Sequence, residues 1–200
     1  MLNFSPASER NQAKIAERLI PLLKKRSVVD VLEIGSGSGQ HALFFSAALS
    51  ELNWQCTEMP ENLPALRLNL ADTAFSLPLS LDVSSRWPDC QVELLYSANT
   101  LHIMGVSAVE ALIRGAGNVV VEGGLLCVYG PFRYAGDFTS QSNAEFDFWL
   151  RQRDPHSGIR DFEVINRLAI EAGFTLMADY AMPANNQLLL WQKAKTGNTE

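Results

Sequence analysis

The residue pattern predicts an α/β domain, a doubly wound, seven-stranded, mostly parallel sheet whose last strand runs antiparallel. Three observations carry that expectation. Strand-like and helix-like stretches alternate through about residue 173, the order that builds a parallel sheet with helices on both faces. A short apolar run, Val28 to Ile34, ends in the glycine-rich turn Gly35-Ser36-Gly37-Ser38-Gly39. The chain then finishes in two strand-like runs separated only by Met182-Pro183-Ala184-Asn185-Asn186, a hairpin that puts an antiparallel strand into the sheet.

Each element has its own signal. Residues 9–25 place Ile15, Ala16, Leu19, Ile20, Leu22 and Leu23 at helical spacing with Arg and Lys outside, an amphipathic helix. Val28 to Ile34 suits a buried parallel strand. His41 to Leu49 is a helix with Ala42, Leu43, Phe45 and Leu49 inward, and Leu52 to Thr57 is the second strand. Pro60 marks the start of the next helix, because its fixed φ suits a first helical position. Leu77 to Val83 and Val92 to Ala98 are the third and fourth strands. Ser107-Ala108-Val109-Glu110 spells a capping box for a helix running to about Gly117. Glu122-Gly123-Gly124 turns into a fifth strand, Leu125 to Tyr129. Gly130 to Ser142 has no period and is expected to be a loop, a candidate lid. A helix covers about Asn143 to Arg153, and Asp161 caps another that ends at Gly173. Phe174 to Ala181 and Gln187 to Lys193 complete the set.

Composition narrows the function classes. With 47% hydrophobic and only 19% charged residues over 200 positions, the chain fills a core and is not intrinsically disordered. Acidic residues outnumber basic ones by 22 to 16, for a net charge of −6, which argues against a dedicated nucleic-acid binder. No apolar run has the length of a membrane span. The residues from Met1 to Pro6 lack the basic-then-apolar order of a signal peptide. Three cysteines, Cys56, Cys90 and Cys127, without C-x-x-C spacing give neither a disulfide framework nor a metal site. A soluble protein of a reducing, cytoplasmic compartment is expected. No repeat or linker divides it, so one domain is expected over 1–194, with a flexible tail over 195–200.

The glycine turn is the first functional signal. Glycines let backbone approach a ligand where any Cβ would collide, and the helix start beyond them supplies free N–H groups. Glu33-Ile34-Gly35-Ser36-Gly37-Ser38-Gly39 resembles the E-x-G-x-G-x-G motif of class I S-adenosylmethionine-dependent methyltransferases. Gly37-Ser38-Gly39-Gln40-His41-Ala42 equally satisfies the dinucleotide pattern G-x-G-x-x-G/A, so spacing alone does not choose the cofactor. Three acids tilt the choice. Glu33, at the first strand's end, suits an ammonium group, which a dinucleotide lacks. Glu58, at the second strand's end, suits a ribose clamp in either cofactor. Asp82, at the third, matches the methyltransferase acid that takes the adenine amino group. Any one of them alone would equally be a helix cap or a surface charge; three at successive strand tips are harder to dismiss.

Beyond the fourth strand lies Ser97-Ala98-Asn99-Thr100-Leu101-His102, without the D/N-P-P-Y/F of adenine-modifying enzymes and similar to the N-x-L-H segment of small-molecule methyltransferases. His102 is a candidate general base, with a backbone-bonded structural histidine as the alternative. His41 is read as structural. The segments Phe4-Ser5-Pro6-Ala7-Ser8-Glu9-Arg10-Asn11, Leu32 to His41, Ser97 to Ile103, Tyr129-Gly130-Pro131-Phe132-Arg133-Tyr134 and Arg153-Asp154-Pro155-His156-Ser157-Gly158-Ile159-Arg160-Asp161 occur together. In these the chain resembles domain-of-unknown-function family 938, also called the methyltransferase-like protein 26 group, over about residues 3–193.

That resemblance implies a Rossmann-like class I methyltransferase fold and S-adenosylmethionine as cofactor, with S-adenosylhomocysteine as product. It implies cofactor contacts from Arg10, Asn11, Glu33, Gly35, Ser36, Gly37, Gly39, Glu58, Asp82, Val83, Ser97 and Asn99, with Asn99 and His102 at the reacting edge. Thr57-Glu58-Met59-Pro60 departs from the family, standing where an aspartate-rich stretch is expected and leaving Glu58 as the ribose acid. The small-molecule acceptor is expected among Tyr129, Phe132, Arg133, Tyr134, Trp149, Arg153, His156 and Arg160. Arg133 and Arg160 would fork onto a carboxylate or phosphate, unless Asp154 or Asp161 ties them into a network that holds the lid. Arg10 is expected on the cofactor carboxylate, the alternative being Ser8 as helix cap with Arg10 in solvent. Two other functions stay open, an idle cofactor-binding protein acting through partners and a nicotinamide-dependent oxidoreductase. The latter lacks a Tyr-x-x-x-Lys pair.

Overall fold

A computed structural model describes residues 1–195. In chain order the elements are α1 (Pro6–Arg26), β1 (Asp30–Glu33), α2 (Gln40–Ala48), β2 (Asn53–Glu58), α3 (Leu63–Leu70), β3 (Leu79–Ser80), β4 (Val92–Ala98) and α4 (Val106–Val119). There follow β5 (Val120–Gly130), β6 (Phe132–Tyr134), β7 (Asp137–Phe138), α5 (Gln141–Arg153), β8 (Arg160–Asp161), α6 (Phe162–Glu171), β9 (Phe174–Met182) and β10 (Asn186–Lys193). Seven strands form one sheet in the order β3-β2-β1-β4-β5-β10-β9. Neighbours from β3 through β5 pair in parallel, while β10 runs antiparallel to both β5 and β9. This is the expected doubly wound sheet, with its last strand inserted between β5 and β9. Chain direction through the sheet reverses between β1 and β4, and a crevice opens there at the carboxyl ends of the strands.

The strands alternate which face they bury. Leu94 and Tyr96, with Leu188 and Leu190, join Ile15, Leu19 and Leu23 of α1 and Phe45 of α2 on one side. Leu95, Leu126, Leu189 and Trp191 join Leu112 and Ile113 of α4 and Ile165 of α6 on the other. A two-residue side-chain period buried on both faces explains the nearly continuous apolar reading of the central strands. No helix among the described residues is long and apolar enough to cross a membrane.

Several boundaries differ from expectation for identifiable reasons. α1 begins at Pro6, and its cap is Ser5, whose hydroxyl accepts the Ser8 N–H at 3.2 Å; Ser8 is not the cap. Pro60 lies in the turn before α3, where the Met59 carbonyl takes the N–H groups of both Asn62 and Leu63. α4 begins at Val106 with Gly105 at the cap position and no side-chain cap, so the Ser107–Glu110 capping box does not form. β3 shrinks to two residues, and β5 starts early because Val120–Gly124 is absorbed as a bulge, with the register jumping from Val92↔Val120 to Leu94↔Leu125. The expected loop after Gly130 contains β6 and β7, which with β8 make a small second sheet. The expected tail lies, apart from Lys195, outside the described residues.

Candidate cofactor site

The glycine turn leaves β1 in a conformation that side chains oppose. Gly35, Gly37 and Gly39 all have positive φ, at 70°, 58° and 84°. They differ in what surrounds them. A Cβ on Gly35 would meet the Thr100 side chain at 3.0 Å, and one on Gly39 would meet Leu70 at 3.1 Å. A Cβ on Gly37 would meet nothing within 4 Å, so that glycine borders open space. The turn is pinned to β2 by Ser36 N–H on the Thr57 carbonyl (2.9 Å) and Thr57 N–H on the Ser36 hydroxyl (3.2 Å).

A cavity of about 630 Å³ opens over this turn, and Glu33, Gly35, Ser36, Gly37, Glu58, Asp82, Val83 and Asn99 all line it. Glu33 is 2% exposed, with one carboxylate oxygen accepting the Trp54 indole N–H at 2.9 Å. Trp54 is itself locked by stacking on Phe45 (centroids 5.3 Å apart). Burial lifts the Glu33 carboxyl to about 7, against the Trp54 and Ser36 hydrogen bonds that favour its anion, and the neighbouring Glu58 adds to the rise. Glu58 uses both oxygens on backbone, Oε2 accepting Gly37 N–H at 2.6 Å and Oε1 accepting Met59 N–H at 2.8 Å. Each oxygen keeps a further lone pair, so the turn is braced without exhausting the acid. Asp82 Oδ1 accepts Ser84 N–H at 2.9 Å. Asn99 closes the β4 end in the left-handed region (φ 58°), its N–H held by the Tyr129 carbonyl at 2.8 Å.

The wall's charge is one-sided. Glu33, Glu58, Glu61 and Asp82 line the cavity, while neither lysine nor arginine does. Such a site suits a cationic ligand and opposes the two phosphates of a dinucleotide. S-adenosylmethionine, with a sulfonium and an ammonium, fits this acidic wall.

Other expected contacts fall elsewhere. Ser97 is fully buried with its hydroxyl on the Ile34 carbonyl at 3.1 Å, and Gly39 packs on α3, so both shape the turn from behind. Asn11 faces inward, its Oδ1 2.8 Å from His41 Nε2, and Tyr96 OH sits 3.1 Å from His41 Nδ1. Asn11 Oδ1 only accepts, which assigns the proton to Nε2 of His41, a ring that also borders the cavity. Arg10 is exposed and does not line the cavity, because the helix phase that buries Asn11 turns its neighbour outward. The N-terminal segment contributes Asn3, Ser5 and Ser8 instead, held down by Gln40, whose Oε1 accepts Ser5 N–H at 2.7 Å. The Ser5-Pro6 cap signal was the available clue to these three.

His102 also departs from expectation. It is 7% exposed, does not line the cavity, and packs edge-on against Phe146 of α5 (5.3 Å). Burial, and secondarily the Arg160 charge, hold its pKa down to about 4, leaving a neutral, weakly basic ring. The expected acceptor residues do not converge on one place. Tyr129 and Phe132 belong to the core, Tyr134 stacks on Phe162 and donates its hydroxyl to Asp179 (2.7 Å), and Arg153 lies over the Trp149 ring. Arg133, His156 and Arg160 line a second cavity, and Arg133 pairs with Asp161, the network alternative.

Solved structures share this architecture. An O-methyltransferase family protein from Burkholderia thailandensis matches with a TM-score of 0.74 at 15% identity, covering 92% of this chain and 57% of that one. SibL, an S-adenosylmethionine-dependent methyltransferase, matches at 0.72 with 20% identity, covering 98% and 60%. Human N-acetylserotonin methyltransferase, in complex with S-adenosylmethionine, matches at 0.71 with 15% identity, covering 84% and 48%. The chain thus spans about half the length of these proteins, and at such identities the likeness establishes the fold alone, one that it shares with these methyltransferases. The family model described as "Protein of unknown function (DUF938)" matches residues 2–193, and the chain belongs to that family.

Proposed function

We propose that this protein is an S-adenosylmethionine-dependent methyltransferase acting on a small-molecule acceptor. The observation that carries the reading is the cavity at the ends of β1, β2 and β3, lined by four acids and by neither lysine nor arginine, beside an open glycine turn. The shared architecture with methyltransferases, one of them solved with S-adenosylmethionine, supports it.

In this reading Glu33 takes the cofactor ammonium, Glu58 the ribose hydroxyls and Asp82 the adenine amino group, over the backbone of Gly35–Gly37. When bound, the cofactor supplies a methyl group already activated on a sulfonium. The chain's own work is then to position an acceptor and exclude water at the β4 end, where Asn99, Thr100 and Ile103 line the cavity. We assign no proton transfer to His102, whose ring is buried away from the cavity.

Two measurements test this. Calorimetric titration should give saturable binding of S-adenosylhomocysteine and none of NAD. Incubation with cofactor labelled in the methyl group and a metabolite extract should label a small molecule. Binding without labelling would favour the idle binder, and NAD binding in place of S-adenosylhomocysteine would overturn the assignment.

A further inference from the structure

A second cavity, of about 830 Å³, lies across the first turn of α4 from the cofactor site, and Ala108 lines both. Arg133, Arg151 and Arg160 all line it, in a protein whose net charge is −6. Two acids line it as well, Asp161 engaged through both oxygens and Asp154 through one. Asp161 pairs through Oδ2 with Arg133 and accepts Gly136 N–H on Oδ1 at 3.1 Å, while Asp154 Oδ1 accepts His156 N–H at 2.9 Å. Arg151 Nε meets Asp147 at 2.7 Å, but Asp147 also accepts Ile159 N–H at 2.7 Å.

The guanidinium groups, by contrast, keep donors in hand. Arg133 Nε is buried and finds no acceptor. Arg160 gives Nε to the Leu101 carbonyl (3.1 Å) and Nη2 to the carbonyls of Met104 and His156, which leaves Nη1 free of any hydrogen bond among the described residues. Burial and the charges of Arg151 and Arg133 disfavour the Arg160 cation while Asp147 and Asp154 favour it, and an anion between the arginines would relieve their repulsion. α4 starts at this wall with no side-chain cap, and Gly105 to Val109 line the cavity, which sets the positive end of the helix dipole beside the arginines.

We propose that this cavity binds the phosphate group of a small molecule, at a site separate from the cofactor's. The lining arginines come from β6, α5 and β8, so several guanidinium forks can share the several oxygens of one phosphate. The phosphate belongs either to the methyl acceptor or to a separate phosphorylated ligand.

The test needs no cofactor, so it succeeds or fails apart from the methyltransferase reading. Inorganic phosphate and glycerol phosphate are titrated into the full chain at low ionic strength, with acetate as the planar control. Saturable binding is expected for the phosphates, weakened at least tenfold in Arg151→Gln and in Arg133→Gln and unchanged in Arg167→Gln, which sits on the exposed side of α6. Arg133 also ties β6 to β8, so the partly exposed Arg151 carries the comparison, with thermal melts confirming that both variants are folded. Absence of phosphate binding, unchanged binding in folded Arg151→Gln, or acetate binding as tightly as phosphate would overturn the site. Phosphatase treatment of the extract then separates the sources. Lost methyl labelling places the phosphate on the acceptor, and retained labelling places it on a separate ligand; both uphold the site.

Discussion

Glu33→Gln separates what the fold wants from what the cofactor wants. The buried carboxyl has its pKa raised from 4.5 to about 7, so the folded protein holds a proton there that the unfolded chain releases. Its stabilising contribution is greatest at pH values below 4.5 and drains away as pH rises to about 7. Glutamine imitates the protonated acid and never pays for a buried charge. The 2.5-unit difference corresponds to about 3 kcal/mol, from roughly 1.4 kcal/mol per unit. Urea denaturation should therefore show the two proteins similar at pH 4.5 and the variant about 3 kcal/mol more stable at pH 8. Cofactor binding should move the opposite way. Losing a charged partner for the ammonium costs about 1.5–3 kcal/mol, a roughly tenfold to hundredfold weakening of S-adenosylhomocysteine at pH 8. Wild-type affinity should fall as pH drops below 7, since Glu33 must give up its proton to receive a cation, and the variant's should stay flat. A variant less stable than wild type at pH 8, or one that binds S-adenosylhomocysteine equally well, would refute the reasoning.

Asp82→Ala should weaken S-adenosylhomocysteine by about tenfold or more, because one oxygen is held by Ser84 N–H and the other is left to the adenine amino group; calorimetry that finds wild-type affinity removes Asp82 from the site. His102→Gln should lower the melting temperature yet leave the pH profile of labelling above pH 6 unchanged, since a ring with a pKa near 4 does not titrate there; a shifted profile would restore it as a base. His41 and His102 both titrate near 4 in the folded state and near 6.5 unfolded, so the unfolded chain binds more protons in between and stability is lost as pH falls through that window. Measured in Glu33→Gln, where the opposing carboxyl is gone, that loss should reach several kcal/mol by pH 4.5; a flat profile contradicts it.

Much of the candidate site's geometry was legible because its signals are local. A strand that ends in an acid and a run of glycines encodes its own turn, since positive φ at Gly35, Gly37 and Gly39 is a property of the residues themselves. The tips of β1, β2 and β3 come together in any parallel sheet of this winding, so Glu33, Glu58 and Asp82 needed only correct strand ends to meet. Helix phase and long-range pairing were decided elsewhere. The Ser5 cap and the Asn11–His41 contact set the rotation of α1 that turns Arg10 out. Phe146, 44 residues along the chain, packs edge-on against His102, which does not line the cavity. Arg133 meets Asp161 only because β6 and β8 pair in register, which no local pattern in a two- or three-residue strand specifies. Local backbone preference thus wrote the glycine turn into the sequence. The positions of the basic side chains depended on contacts between segments far apart in the chain, and these only tertiary packing decides.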